Sequence, residues 1–161
     1  MTNIPNSKKL VCIENTKFIY NTNFSGDPER DRFGSDARQA NIIIPDEAFA
    51  LDLLENGFNV KVTKPRPEDE DYVPTYFVPI KLIYDSNWPP KVYLVVGDDV
   101  EPKLLDEESI DTLDYCRILS VDAVLNPYHN PRTGKSSLYV QTMYVVQDIE
   151  SDPYANKWMR R

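Results

Sequence analysis

The sequence predicts a mainly β protein, a small antiparallel barrel or curled sheet with one or two short helices. Three observations lead there. Apolar side chains recur with period two through several segments. Ten Tyr favour strands, and thirteen Pro against only five Gly mark stiff turns. The 161 residues, 41% hydrophobic and 27% charged, suit one domain with its own core.

Each element has a local reason. Lys9 to Asn21 sets Leu10, Cys12, Phe18 and Tyr20 at even positions around the polar break Glu14-Asn15-Thr16, which reads as a bent or bulged strand. Residues 23–38 are rich in Gly, Pro, Ser and Asp and form a long loop, of a length usually tied to function or to disorder. Ala40 to Ile44 is a short apolar strand. Asp46 has the chemistry of an N-cap, Phe49, Leu53 and Leu54 make an apolar stripe, and Gly57 stops the helix, which predicts a helix over 46–56. Phe58 to Val62 alternates as a strand until Lys64-Pro-Arg-Pro67 breaks it.

After the acidic loop Glu68 to Asp71, Tyr72 to Tyr84 alternates again, with Tyr76, Val78, Ile80 and Leu82 on one face. Pro74 and Pro79 give parts of this strand an edge character. A turn at 87–90 leads to a strand at 91–96. A second short helix is expected over 106–115, capped by Asp106, with Ile110 and Leu113 inward. A strand at 116–125 is followed by a Pro/Asn-rich loop at 126–134. The last strand, 136–147, would put Tyr139, Gln141, Met143 and Val145 on one face and Leu138, Val140, Tyr144 and Val146 on the other. Together these elements describe an OB-fold-like antiparallel Greek-key barrel. It occupies residues 1–150, and 151–161 forms a polar, flexible C-terminal tail.

Charge is unevenly spread. The net charge is −8, but residues 67–116 hold 3 basic and 13 acidic side chains, whereas 1–66 hold 9 of each. The acidic middle can form a face of its own and leave a neutral-to-basic face on the flanks. No apolar run spans a bilayer and Met1 to Lys9 lacks a signal-peptide core, so the chain is expected in the cytoplasm. Cys12 and Cys116 read as reduced core thiols.

Most catalytic chemistries lack their residues. The single histidine, His129, sits in a Pro/Asn-rich loop with no Cys or His cluster around it for zinc, and a solvated loop histidine is its ordinary reading. No Gly-x-Ser-x-Gly elbow exists. Gly134-Lys135-Ser136 lacks the upstream glycine of a phosphate loop and opens a strand. Asp98, Asp99 and Glu101, with Glu101-Pro-Lys103, have the spacing of a Mg²⁺ nuclease site. However, Pro102 interrupts the presenting strand, and Asp46 is better used as a cap. The expectation is no enzyme, no cofactor and no metal.

What remains is a set of aromatics interleaved with Arg and Lys. They are Phe24, Arg30, Arg32, Phe33 and Arg38 in the long loop, Lys64 and Arg66 after the second strand, Tyr84, Trp88 and Lys91 in the middle, and Tyr128, Arg132, Lys135 and Tyr139 in the last hairpin. Single-stranded nucleic acid is bound by this combination, with bases stacked on aromatic faces and cations tracking phosphates. A Tyr on an alternating strand more often packs in the core, and a lone surface cation is more often simply solvated. Loop aromatics flanked by Arg have no ready core, which singles out Phe24, Phe33 and Trp88.

The sequence resembles the OB-fold single-stranded DNA-binding proteins encoded by phages. The likeness runs from about Phe18 to Gln147. It is carried by Asn23-Phe-Ser-Gly26 entering the Arg-rich loop, by Gly57-Phe-Asn-Val-Lys61 leading to Lys64-Pro-Arg66, and by Trp88-Pro-Pro-Lys-Val92. The stretch 105–114, Val121-Asp122 followed by Asn126-Pro127, and Thr142-Met-Tyr-Val145 extend it. The resemblance implies a non-enzymatic protein that coats and protects single-stranded DNA in phage replication or recombination. Its implied partners are that DNA and proteins of replication or recombination, with a monomer or a homodimer both compatible. The chain departs from the family pattern in the acidity of 67–116 and in a basic C-terminus. A different class, an acidic interaction module such as a phage inhibitor or DNA mimic, fits that acidity.

Overall fold

The computed structural model describes residues 10–31, 34–64, 73–96 and 101–148. Among these, nine strands form one mixed sheet. They are β1 (Val11–Thr16), β2 (Phe18–Asn23), β3 (Gln39–Ile44), β4 (Lys61–Val62), β5 (Tyr76–Lys81), β6 (Lys91–Val95), β7 (Lys103–Leu105), β8 (Ile118–His129) and β9 (Ser136–Gln147), with one helix, α1 (Glu47–Glu55). The pairing path is β1-β8-β9-β5-β3-β2, while β4 adds to β5, and β6 joins β9 to β7.

The expected mainly β, OB-like curled sheet holds, and it differs from a closed antiparallel barrel in two ways. β9 pairs in parallel with both β5 and β6, so the sheet is mixed. The path also does not close by strand pairing, because β1 and β2 stand at its two ends. Those two strands are consecutive, with Lys17 between them, so both ends belong to one bent run of chain. Asn15 (φ 56°) and Tyr20 (φ 65°) carry the bends in left-handed backbone. With β1 and β2 counted as the two halves of one bent strand, a partly open, five-stranded Greek-key arrangement of OB type results, with β4, β6 and β7 added.

Local signals explain what holds. Asp46 caps α1 by accepting the N–H groups of Ala48 (3.0 Å) and Phe49 (3.4 Å), neither of which has an acceptor within the helix. Gly57 follows the helix at φ +89°, where a Cβ would also approach the Gly134 carbonyl at 3.2 Å. The expected second α-helix is a shorter 3-10 segment at 110–114 that still buries Ile110 and Leu113. Asp106 builds the turn before it, accepting from the N–H groups of Glu108 and Ser109. Pro79 lies at a local edge as expected. On that side of β5, β4 pairs with residues 76–77 and β9 with 80–81, so the missing N–H falls in the gap between them.

Other expectations change. In β1 the inward residues are Val11 and Ile13, which leaves Leu10 and Cys12 exposed. Cys12 is therefore not a core thiol, and Cys116 is only half-buried, its pKa raised chiefly by desolvation. β8 runs through Pro127 to His129, shortening the expected loop to 130–135. Pro127 is tolerated because β1 stops pairing with β8 at Leu125. In β9 the core face is Leu138, Val140, Met143 and Val145, because a bulge at Gln141 reverses the alternation midway. One contiguous core joins these residues to Ile42, Ile80, Val92, Val121, Leu125 and the 3-10 segment.

Candidate nucleic-acid interface

The bulge at Gln141 lies where β9 changes partner. Residues 138–139 pair with β5, and residues 142–146 pair with β6. Beside the chain between β5 and β6, residues 82–90, a groove of about 1170 Å³ opens. One wall is the outward face of the β8–β9 hairpin, with Asn126, Tyr128, Tyr139 and Gln141. The other is the 82–90 segment with Tyr84, Asn87 and Trp88, continued by Lys91, Leu104, Asp106 and Glu107.

Five of the sequence-predicted residues, Tyr84, Trp88, Lys91, Tyr128 and Tyr139, therefore line one groove. Trp88 is 87% exposed, and prolines follow it at positions 89 and 90. An indole left in water on a proline-stiffened turn costs apolar exposure, unless a flat partner covers it. Tyr128 and Tyr139 meet edge to face, with ring centroids 6.3 Å apart. Arg132 and Lys135 are exposed in the turn at the tip of the same hairpin. His129, at the strand end, has Nδ1 3.1 Å from the Ser136 hydroxyl, a pairing that ties the hairpin together.

Three predicted residues are held by contacts within the protein. Phe24 is 0% exposed and packs edge-on against Phe18 with centroids 5.2 Å apart, so it presents no face to a base. Arg30 donates from Nε to the Thr22 carbonyl (3.0 Å), lies 3.4 Å from the Asp114 carboxylate and covers the Tyr115 ring. Arg38 donates to the Phe24 carbonyl (2.7 Å), covers Tyr84 at 5.6 Å and pairs with Glu107 at 3.6 Å. It thus joins the 24–38 loop to the groove wall. Lys64 is exposed beyond β4 and does not line the groove. Arg32, Phe33 and Arg66 lie outside the described residues, as do Asp98, Asp99 and the tail 151–161. Among the described residues, no group of three His, Cys, Asp or Glu side chains could hold a metal.

The groove's electrostatics are mixed. Lys91 is its only lining cation among the described residues, against Asp106 and Glu107. Hydrogen bonding from Ser109 holds the Asp106 carboxyl below its usual range. Burial pushes the Tyr84 phenol up to about 12, with the Arg38 charge opposing, and its hydroxyl has no partner among the described residues. Lys81, which the sequence does not single out, stands in register beside Tyr139 across the parallel β5–β9 pairing and lines a small separate pocket with Ser137 and Leu138. Sequence reasoning also missed the lining residues Leu104, Asn126 and Gln141. A parallel pairing between distant segments leaves no local signal.

The family model described as "Putative phage ssDNA-binding domain" matches residues 2–158. Two solved structures are similar. One is the single-stranded DNA-binding protein from bacteriophage Enc34, at 15% identity and TM-score 0.47, covering 86% of this chain and 81% of that one. The other is a C-terminal truncation of that protein, at 12% identity and TM-score 0.46, covering 86% and 84%. No curated protein sequence matches the chain.

Proposed function

Because this chain belongs to the phage ssDNA-binding domain family, we propose that its single-stranded DNA occupies the groove between the β8–β9 hairpin and the 82–91 segment. The observation that carries this reading is the convergence of Trp88, Tyr128 and Tyr139, from segments far apart in sequence, on one open groove. Unpaired bases stack on such faces whatever their identity, so binding is sequence-tolerant. OB-type folds bind oligonucleotides through the loop after the first strand and the last hairpin loop, and both adjoin the groove without lining it: Arg38 covers the lining residue Tyr84, and 130–135 joins the two strands that carry Tyr128 and Tyr139.

The phosphates run past Lys91, Lys81 and the Arg132/Lys135 tip. The protein acts by binding, not by catalysis. It coats and protects displaced strands during phage replication or recombination in the host cytoplasm, alongside proteins of those processes.

The test is fluorescence anisotropy of a labelled single-stranded oligonucleotide. Trp88→Ala should weaken binding by roughly 5- to 100-fold, the loss of one stacking platform. Wild-type affinity in that variant would remove the groove from the interface. No binding by the wild-type protein at low salt would favour an acidic interaction module.

A further inference from the structure

Beyond the groove, the outward face of β6 and β9 carries a second aromatic pair. Tyr93 and Tyr144 are opposite each other in the parallel pairing and stack with centroids 4.9 Å apart and planes within 13°. Tyr144 is 41% exposed, and Leu104, the partner of Tyr93 on β7, is exposed too. A cross-strand pair of this kind stabilises a sheet, and that contribution alone would account for two buried rings. It does not account for the exposure of Tyr144, stacked on a half-buried Tyr93.

Their position does. Lys91 and Thr142, which line the groove, are themselves a register pair. Tyr93 and Tyr144 are the next outward residues along the same two strands, roughly 7 Å further on. Leu104 lines the groove and flanks Tyr93, so no other described register pair intervenes on this face. Along β9 the outward tyrosines are Tyr139, inside the groove, and Tyr144, just past it. Asp122, opposite Tyr144 on β8, accepts the Asn15 N–H at 2.7 Å, which ties its carboxylate to β1. The face thus offers aromatic surface with Lys91 beside it.

We propose that Tyr93 and Tyr144 form a second base-stacking subsite, onto which the strand occupying the groove continues past Thr142 and Leu104. This rests on the groove reading and extends the strand's path onto β6, a strand additional to the five-stranded core.

The experiment is a ladder of oligo-dT lengths from about 4 to about 16 nucleotides, the span of single OB domains, titrated by anisotropy against wild type, Trp88→Ala and Tyr93→Ala/Tyr144→Ala. The double variant should bind the shortest oligonucleotides like wild type and lose about tenfold or more on the longer ones. Equal binding at every length would overturn the subsite, and so would a uniform loss at every length. Tyr93→Leu/Tyr144→Leu keeps apolar packing on the sheet and should show the same length-dependent loss, which covers an alanine variant that fails to fold. Trp88→Ala should lose affinity at every length. If it loses none, the groove reading fails and the subsite with it, whereas a normal Trp88→Ala result with a length-independent double variant sinks the subsite alone.

Discussion

Arg38 is held at three points: by the Phe24 carbonyl, by the face of Tyr84 and by Glu107, whose side chain is 61% exposed. The first two fix the guanidinium, while the third is a surface ion pair worth roughly 0–1 kcal/mol. A phosphate in the groove competes for the same cation. Glu107→Gln is therefore expected to tighten single-stranded DNA binding by up to about fivefold at low salt. Unchanged or weaker binding in an anisotropy titration would show that Glu107 does not compete with the strand. Tyr84, under Arg38, makes a prediction in pH. Its phenol has a folded pKa of about 12 against an ordinary 10.0, so the folded state holds this proton more tightly. That contribution is fully present below pH 10 and is lost as pH rises through about 12. Urea midpoints measured across this range should fall in wild type, and the part due to this phenol should vanish in Tyr84→Phe. The exposure of Trp88 was legible from its setting between a turn signal and two prolines. The burial of Phe24 was not, because Phe18, on the bent strand before the loop, and the core close over it only in three dimensions.

The 24–38 loop is anchored as an element by one side chain. Asp114, at the end of the 3-10 segment, has a side chain 0% exposed. It accepts from the Thr22 hydroxyl (2.6 Å) and from the backbone N–H groups of Phe24 (2.8 Å) and Ser25 (2.9 Å), beside the Arg30 guanidinium. Asp114→Ala strips the Thr22 hydroxyl and the two backbone N–H groups of their acceptor and Arg30 of its ion-pair partner, and is expected to cost about 3 kcal/mol, read from denaturant unfolding. A loss below about 0.5 kcal/mol would place the anchoring elsewhere. By the same logic, Arg30→Ala should act mainly on stability rather than on the salt dependence of DNA binding. Such long-range anchoring is what the sequence does not display, since Arg30 and Asp114 are far apart in the chain. Helix α1 was legible for the opposite reason: its cap and its stop at Gly57 are local, although of the expected stripe Leu54 is exposed and Ala50 is buried beside Leu53 instead. The last hairpin falls between. Its two strands read correctly in kind, but Pro127 disguised the extent of β8, and the bulge at Gln141 reversed the faces of β9. Tyr144 thereby turns outward with Tyr139, and Met143 and Val145 turn into the core.

At the scale of the whole molecule, a net charge of −8 has to be reconciled with a polyanionic ligand. If the strand lies in the proposed groove, apolar and aromatic surface carries more of the binding than charge does, since Lys91 is the groove's one lining cation among the described residues. Near the strand's path the described cations are Lys81, Lys91, Arg132 and Lys135, with Arg38 already paired to Glu107. Each phosphate neutralised on a single strand contributes a slope of about −0.7 to log K against log salt. The slope here should therefore be no steeper than about −3.5, and Arg132→Ala/Lys135→Ala should lower its magnitude by about 1.4. A much steeper slope would mean that cations outside this set, in segments such as 65–72 or 149–161, reach the strand. The same balance decides between single and double strands. In a duplex the base faces are already stacked on one another and unavailable to Trp88, Tyr128 or Tyr139, while the phosphates meet a protein of like net charge. A duplex of equal length should therefore compete for the protein at least about tenfold less well than the single strand. If the duplex competes equally, the binding energy comes from phosphates alone, and the three aromatics are not stacking platforms.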